Sequence, residues 1–186
     1  MFREFLAREF APYGSLSPQQ LDQLESHYEL LLRWNAKLNL TRIDSVEEAA
    51  RLHYCESLFL GQRLPGGPLR IVDFGSGAGF PGIPIAILRP ECNITLVESH
   101  KRKGVFLSEA VRILANAKVV TDRAENLKDE FDWLVSRAVT PRDILKFHLA
   151  NNLAMLVGAD DAAVFRNSEL LPWGEKRYVV FHVKRP

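Results

Sequence analysis

Apolar positions in this chain follow two rhythms, and the change falls near residue 65. Before it the spacing is helical. Phe2, Phe5, Leu6 and Phe10 recur at about 3.6 residues per turn and form one apolar stripe. Ser17-Pro18-Gln19-Gln20 reads as a helix start: Ser17 can cap, Pro18 suits the first helical position, and Gln20 can close a capping box. Leu21, Leu24, Tyr28, Leu31 and Leu32 then line one face. A second start at Ser45-Val46-Glu47-Glu48 leads into Ala49, Leu52, Leu58 and Phe59. Leu64-Pro65-Gly66-Gly67-Pro68 cannot continue a helix, so residues 1–63 read as a helical N-terminal extension and residues 69–186 as the main domain.

Beyond the boundary, short apolar runs alternate with helical stretches. Residues 69–74 predict a first strand, followed by a Gly-rich turn and a helix to Leu88. Residues 93–98, 117–121 and 131–136 predict three more strands, with a helix over 100–114 between the first two of these. A helix is expected over 142–156, a fifth strand over 161–165 and a last one over 177–183. Strands alternating with helices imply a doubly wound α/β fold, a largely parallel sheet with helices on both faces.

Composition narrows the class only slightly. Hydrophobic residues make up 47% and charged residues 25% of the 186 positions, so one well-buried domain is affordable. The net charge of +1 excludes a strong overall field for polyanions. RNA binding would need local patches such as Lys101-Arg102-Lys103, Lys176-Arg177 or Lys184-Arg185. No apolar run approaches the roughly 20 residues that span a bilayer, and charges at helical spacing in the first ten residues are unlike a signal peptide. A cytoplasmic monomer without membrane association is the expectation. Cys55 and Cys92 lack partners at metal-ligand spacing, so ordinary thiols and no metal site are expected.

The most informative stretch is Asp73-Phe74-Gly75-Ser76-Gly77-Ala78-Gly79-Phe80-Pro81-Gly82, at the end of the first strand. Doubly wound sheets bind ligands there. Residues 77–82 formally match the dinucleotide fingerprint, with Glu98 at about the right distance to hold a ribose. The same stretch also matches an acidic-x-Gly-x-Gly-x-Gly methyltransferase turn, Asp73 to Gly79. The second reading is favoured. Asp73 suits a ligand with a positive amino-acid end, and Pro81 and Pro84 withhold the amide donors that a pyrophosphate would want. S-adenosylmethionine has no phosphate to lose contact with.

The acceptor can be narrowed by what is missing. Ser136-Arg137-Ala138-Val139 ends the fourth strand where amino-methylating enzymes of nucleic acids carry a Pro-Pro-aromatic motif. Carbon-5 methylation needs a cysteine nucleophile, and neither cysteine ends a later strand. No carboxylate cluster suggests a metal-dependent oxygen methylation. An acceptor that is already nucleophilic, such as guanine N7, needs no base and is compatible with this site.

Trp34-Asn35-x-x-Leu38-Asn39-Leu40-Thr41, His53-x-x-Glu56-Ser57-Leu58, Asp73 through Pro84, Val97-Glu98-Ser99, Arg123-Ala124-Glu125 and Ser136-Arg137-Ala138 occur in that order. Together they resemble the RsmG (GidB) family of bacterial small-subunit rRNA guanine-N7 methyltransferases, over residues 20–140 or so. The resemblance implies a class I S-adenosylmethionine-dependent methyltransferase (Rossmann-like) fold, S-adenosylmethionine as cofactor, and a guanine of the 16S rRNA decoding region, free or in a small ribosomal subunit particle, as substrate. Asp73, Gly75, Ser76, Gly77, Gly79 and Phe80 would form the cofactor turn, and Glu98 would bind the ribose. Ala124 and Glu125 would flank the adenine, and Arg137 would border both cofactor and acceptor as the catalytic residue. Arg123, Arg166 and Arg177 are the RNA-binding candidates. Asn39 could equally be a cap, and His53 a packing residue.

The chain departs from the pattern in two places. Glu56 stands where the family usually has Asp. After the fifth strand, where the family has Lys-Gly, the strand assignment above places Phe165-Arg166-Asn167. One of seven strands is then expected to be shortened or missing, with Arg166 replacing the lysine's charge. A methyltransferase for another RNA or a small molecule, or a non-catalytic cofactor- or RNA-binding module, are the alternatives.

Overall fold

The computed structural model describes residues 1–42, 45–123 and 126–183. Helix α1 (Phe2–Phe10) buries Phe2, Leu6 and Phe10, one side chain per turn. Helix α2 (Pro18–Leu38) starts with the expected capping box: Ser17 Oγ accepts from Gln20 N at 3.2 Å, and Gln20 Oε1 accepts from Ser17 N at 2.9 Å. Leu24, Tyr28 and Leu31 face inward as expected, but Leu32 is 45% exposed, one position off the stripe. The helix ends at Asn39, whose left-handed φ of 48° makes it a C-cap. A third helical rod follows, made of α3 (Val46–Glu48), a π-helical segment Ala49–Cys55, and α4 (Glu56–Arg63).

The sheet contains β1 (Arg70–Phe74), β2 (Asn93–Val97), β3 (Ala117–Val120), β4 (Phe131–Arg137), β5 (Ala150–Gly158), β6 (Ser168–Leu170) and β7 (Arg177–Val183). Their order is β3-β2-β1-β4-β5-β7-β6, parallel through β5, with β7 antiparallel to both its neighbours. The order reverses between β1 and β4, and the crevice beyond their carboxyl ends is where such sheets take ligands. Helices α5 (Gly82–Leu88) and α6 (Lys101–Ala110) join the N-terminal helices over one face. The opposite face is covered more thinly, by a second apolar cluster that includes Ile144 of α7 (Pro141–Ile144) and Ala162 of α8 (Ala159–Ala162). Among the described residues, no helix is long and apolar enough to cross a membrane.

Two expectations fail after β4. The helix expected over 142–156 stops at Ile144, and β5 begins at Ala150. The segment 161–165, expected as a strand, lies at the end of α8 and in the turn after it. The cause is burial on both faces. Leu153 and Met155 enter one core cluster while Ala154 and Leu156 enter the other, so the run shows no polar alternation. Leu, Ala and Met also favour helices locally, and pairing with β4 and β7 overrides that preference. All seven strands are present among the described residues, with β6 reduced to three residues. The fifth strand ends in Val157-Gly158, so Phe165-Arg166-Asn167 does not follow its end, and the comparison of Arg166 with the family's lysine rested on the misplaced strand.

One ion pair ties the N-terminal helices to the last strand. Glu56 is 0% exposed, and both of its carboxylate oxygens accept from Arg177, through Nε and Nη2. Burial pushes the Glu56 carboxyl upward in pKa and the Arg177 guanidinium pulls it back. Removing one partner of such a pair strands the other in a dry site. Arg177→Ala should therefore lower stability by about 2–4 kcal/mol, the half-exposed arginine keeping the loss below that of a fully buried pair. Adding Glu56→Gln to Arg177→Ala should restore part of that loss, and denaturant melts of the two variants check both values.

Candidate active site at the sheet switch point

The glycine-rich turn is held from below. Asp73 is 0% exposed and its Oδ2 accepts from Gly82 N at 3.0 Å, closing the loop onto the start of α5. A side chain at Gly82 would collide with that carboxylate, since a Cβ would lie 2.5 Å from Oδ2. Oδ1 is buried without a hydrogen-bond partner, and burial pushes the Asp73 pKa up to about 7. Asp73 lines neither of the cavities described below; here it braces the loop. Gly75 and Ser76 both donate to Val97 O at 3.0 Å, which presses the turn against β2. Ser76 is itself buried, its Oγ donating to Asp73 O. Gly79 has φ +88°, and a Cβ there would lie 2.4 Å from Ile83, so only glycine fits.

The N-terminal helices support the same loop. His27 is buried, its Nε2 3.1 Å from Ala78 O and its Nδ1 2.8 Å from Tyr54 Oη. Since Ala78 O can only accept, the proton is on Nε2 and Nδ1 accepts from the tyrosine. Burial holds the His27 pKa down at about 4.

A cavity of about 280 Å³ opens beyond the ends of β1 and β2, lined by Phe74, Gly75, Val97, Ser99, Asp122, Arg123 and Phe147. Glu98 is 8% exposed; Oε2 accepts from Gly77 N at 3.0 Å and Oε1 from His100 N at 2.8 Å. The carboxylate is thus fixed beside the loop, with further lone pairs to offer. Arg123, one of the RNA candidates, lines this cavity and not the one that holds Arg137. Ala124 and Glu125 lie outside the described residues.

A second cavity of about 360 Å³ adjoins it, lined by residues that include His53, Arg137, Val139, Asp161 and Arg177. The two are separated by a thin wall: a Cβ on Gly75 would come 3.1 Å from Val139 Cγ2. Arg137 ends β4 and is followed by Ala138 at φ +59°, a strained position for a non-glycine residue. Its guanidinium lies 4.7 Å above the Phe80 ring, and Nη1 donates to Leu52 O at 3.2 Å and to His53 Nδ1. With Nδ1 accepting, His53 carries its proton on Nε2, which donates to Thr41 Oγ1 at 2.7 Å. Burial, with Arg137 and Arg177 nearby, holds the His53 pKa down to about 2. Burial also lowers Arg137, to about 10, so it remains cationic at neutral pH.

Phe80 therefore sits beneath Arg137, stacked on His53 at 4.7 Å, with its side chain buried. Arg177 shares the Arg137 cavity, whereas Arg166 lines a separate groove with Arg142 and Phe165. Sequence reasoning passed over His53 as a packing residue and missed Asp161 altogether. The π-helical segment that aims Leu52 O and His53 at one guanidinium has no signature in the hydrophobic spacing.

The sheet order and the placement of the glycine turn define the class I fold of S-adenosylmethionine-dependent methyltransferases. Solved structures share it. One is a SAM-dependent methyltransferase from Aquifex aeolicus, with TM-score 0.59 and 13% identity over 79% of this chain and 97% of that one. Another is an O-methyltransferase from Thermotoga maritima, with TM-score 0.55 and 14% identity over 83% and 71%. The chain belongs to the GidB family, described as rRNA small subunit methyltransferase G, whose profile matches residues 20–156. Relatives named ribosomal RNA small subunit methyltransferase G include those of Dictyoglomus thermophilum and Chromobacterium violaceum. The first is 39% identical over 73% of this chain and 60% of its own length. The second is 37% identical over 86% and 79%. The chain thus spans about three fifths of the first of these.

The His27 pKa sets a pH dependence. In the unfolded chain the ring protonates near the ordinary 6.5, but in the folded state only near 4. Its contribution is complete above pH 6.5 and is lost as pH falls toward 4, by about 3 kcal/mol across that window. Denaturant midpoints measured from pH 7 to pH 4 should fall less steeply for His27→Gln than for the unchanged protein.

Proposed function

We propose that the protein transfers a methyl group from S-adenosylmethionine to N7 of a guanine in 16S rRNA, in the cytoplasm. The observation that carries this reading is the adjacency of the two cavities across the Gly75–Val139 contact in a chain of this family. The first cavity fits the cofactor. Phe74, Val97 and Phe147 offer apolar walls for a base, and Gly75 removes the side chain that would occupy the space. Glu98 offers lone pairs for ribose hydroxyls, and Ser99 and Asp122 offer polar contacts. Ala124 and Glu125 belong to this proposal as adenine neighbours.

When bound, S-adenosylmethionine supplies a methyl group on a positively charged sulfur, which becomes a neutral thioether as the acceptor takes the methyl. The protein's own part is orientation. Guanine N7 presents a lone pair and no proton, so the site needs to hold it in line and exclude water. Arg137 is the residue that holds the acceptor. His53, Leu52 O and Phe80 fix its guanidinium, leaving its other donors to meet the base. Its donors suit guanine O6, beside the N7 lone pair that stays free to take the methyl.

Calorimetric titration with S-adenosylmethionine should show binding that Gly75→Arg abolishes. Small ribosomal subunits lacking the modification should then accept tritiated methyl groups, at a guanine that becomes labile to reduction and aniline cleavage. Arg137→Ala should lower kcat by about 100-fold while cofactor affinity changes by less than about threefold. The proposal fails if the unchanged protein labels no guanine in those subunits.

A further inference from the structure

The cavity that holds Arg137 contains one polar group that the proposed reaction has not used, the carboxylate of Asp161. The other polar side chains lining the space are largely committed. Both nitrogens of His53 are engaged, by Arg137 and by Thr41. Arg177 is bound to Glu56 through two nitrogens. Thr140 donates its hydroxyl to Asp143. Ala138, Val139, Leu156, Val157 and Gly158 supply the apolar remainder. Among the described residues, Asp161 Oδ1 and Oδ2 have no hydrogen-bond or ion-pair partner, and the half-buried carboxylate stands at the end of α8, on the chain that continues directly from β5.

With the charge of Arg177 met by Glu56, the cavity offers a ligand a cationic donor group that no carboxylate neutralises, from Arg137, and an anionic acceptor group, from Asp161. That pairing selects among the bases. Guanine presents acceptors, O6 and N7, on one edge and donors, N1–H and the N2 amino group, on the adjacent one. Adenine reverses the adjacent edge, placing an amino donor beside N7 and a bare acceptor at N1, which would face the carboxylate unfavourably. We propose that Asp161 is the residue that selects guanine, accepting from N1–H and the N2 amino group of a base turned out of its RNA strand, while Arg137 donates to O6. This rests on the methyltransferase reading above.

The same contact acts on the rate. Methylation at N7 gives the base a positive charge that spreads to N1–H and the amino group. A carboxylate on those protons gains strength as the charge develops, so it favours the transition state over the bound substrate. Arg137 alone would oppose that charge, and Asp161 offsets it.

The test compares the unchanged protein with Asp161→Asn and Asp161→Ala on small ribosomal subunits lacking the modification. Both variants should bind S-adenosylmethionine normally by calorimetry, which also reports that they are folded. Both should lose about 10- to 100-fold in kcat, the scale of a lost charge-assisted hydrogen bond. Guanosine 5′-monophosphate should inhibit the unchanged protein better than inosine 5′-monophosphate, which lacks the amino group, and Asp161→Ala should be inhibited equally by either. Asp161 has no such role if both variants keep kcat within about twofold, or if the two nucleotides inhibit the unchanged protein equally. Absence of methylation by the unchanged protein would overturn this assignment together with the activity it rests on.

Discussion

A cation buried at the reversal point of the sheet, without a carboxylate bonded to it, is the constraint around which this molecule is organised. Arg137 is pulled down in pKa by burial, yet its partners are a carbonyl, a neutral imidazole and an aromatic face. Burying a guanidinium on those terms is costly unless its donors are met with good geometry. The surroundings supply that geometry in layers. A π-helical turn places Leu52 O and His53 Nδ1 within reach of the same nitrogen, and donation from Arg137 to Nδ1 leaves the ring proton on Nε2, where Thr41 Oγ1 accepts it. Glu56, which would otherwise be the natural counter-ion, is occupied by Arg177. The unneutralised guanidinium is then free to recognise a ligand.

This arrangement explains why the helical N-terminal segment cannot be read as an accessory. It contributes His27 and Tyr54 under the glycine turn, and His53 and Leu52 beside Arg137. The sheet supplies the loop and the strand end; the helices supply the hydrogen-bond partners that hold both in place. The thin cover on the other face of the sheet, with only four-residue helices at α7 and α8, contrasts with this investment.

What could be read in the sequence follows the same division. The capping box at Ser17, the strand before Asp73 and the glycine turn carry local signals, since turns and caps need particular residues at particular offsets. The switch from β4 onward was misread because β5 is buried on both faces and made of Leu, Ala and Met, so spacing alone could not tell it from a helix. That one error set Arg166 after a strand end that is not there, and it hid Asp161 beside the end of the true strand. Of the site, Gly75, Glu98, Arg137 and Arg177 were visible as motif residues. The pairing of Arg177 with Glu56 was not, because it joins residues 121 positions apart and is set only by the closed fold.

That separation bears on the order in which the molecule assembles during synthesis. The residues that make the glycine turn, its acidic brace and the His27 support all lie within the first 98 positions, while the first cavity also takes Ser99, Asp122, Arg123 and Phe147 from the chain beyond. The second cavity waits for β7, because Arg177 lines it and holds Glu56 across it. Closing so long a loop is entropically late. The acceptor wall is therefore the part of the site that depends on contacts farthest apart along the chain, and it is whole only when β7 is in place.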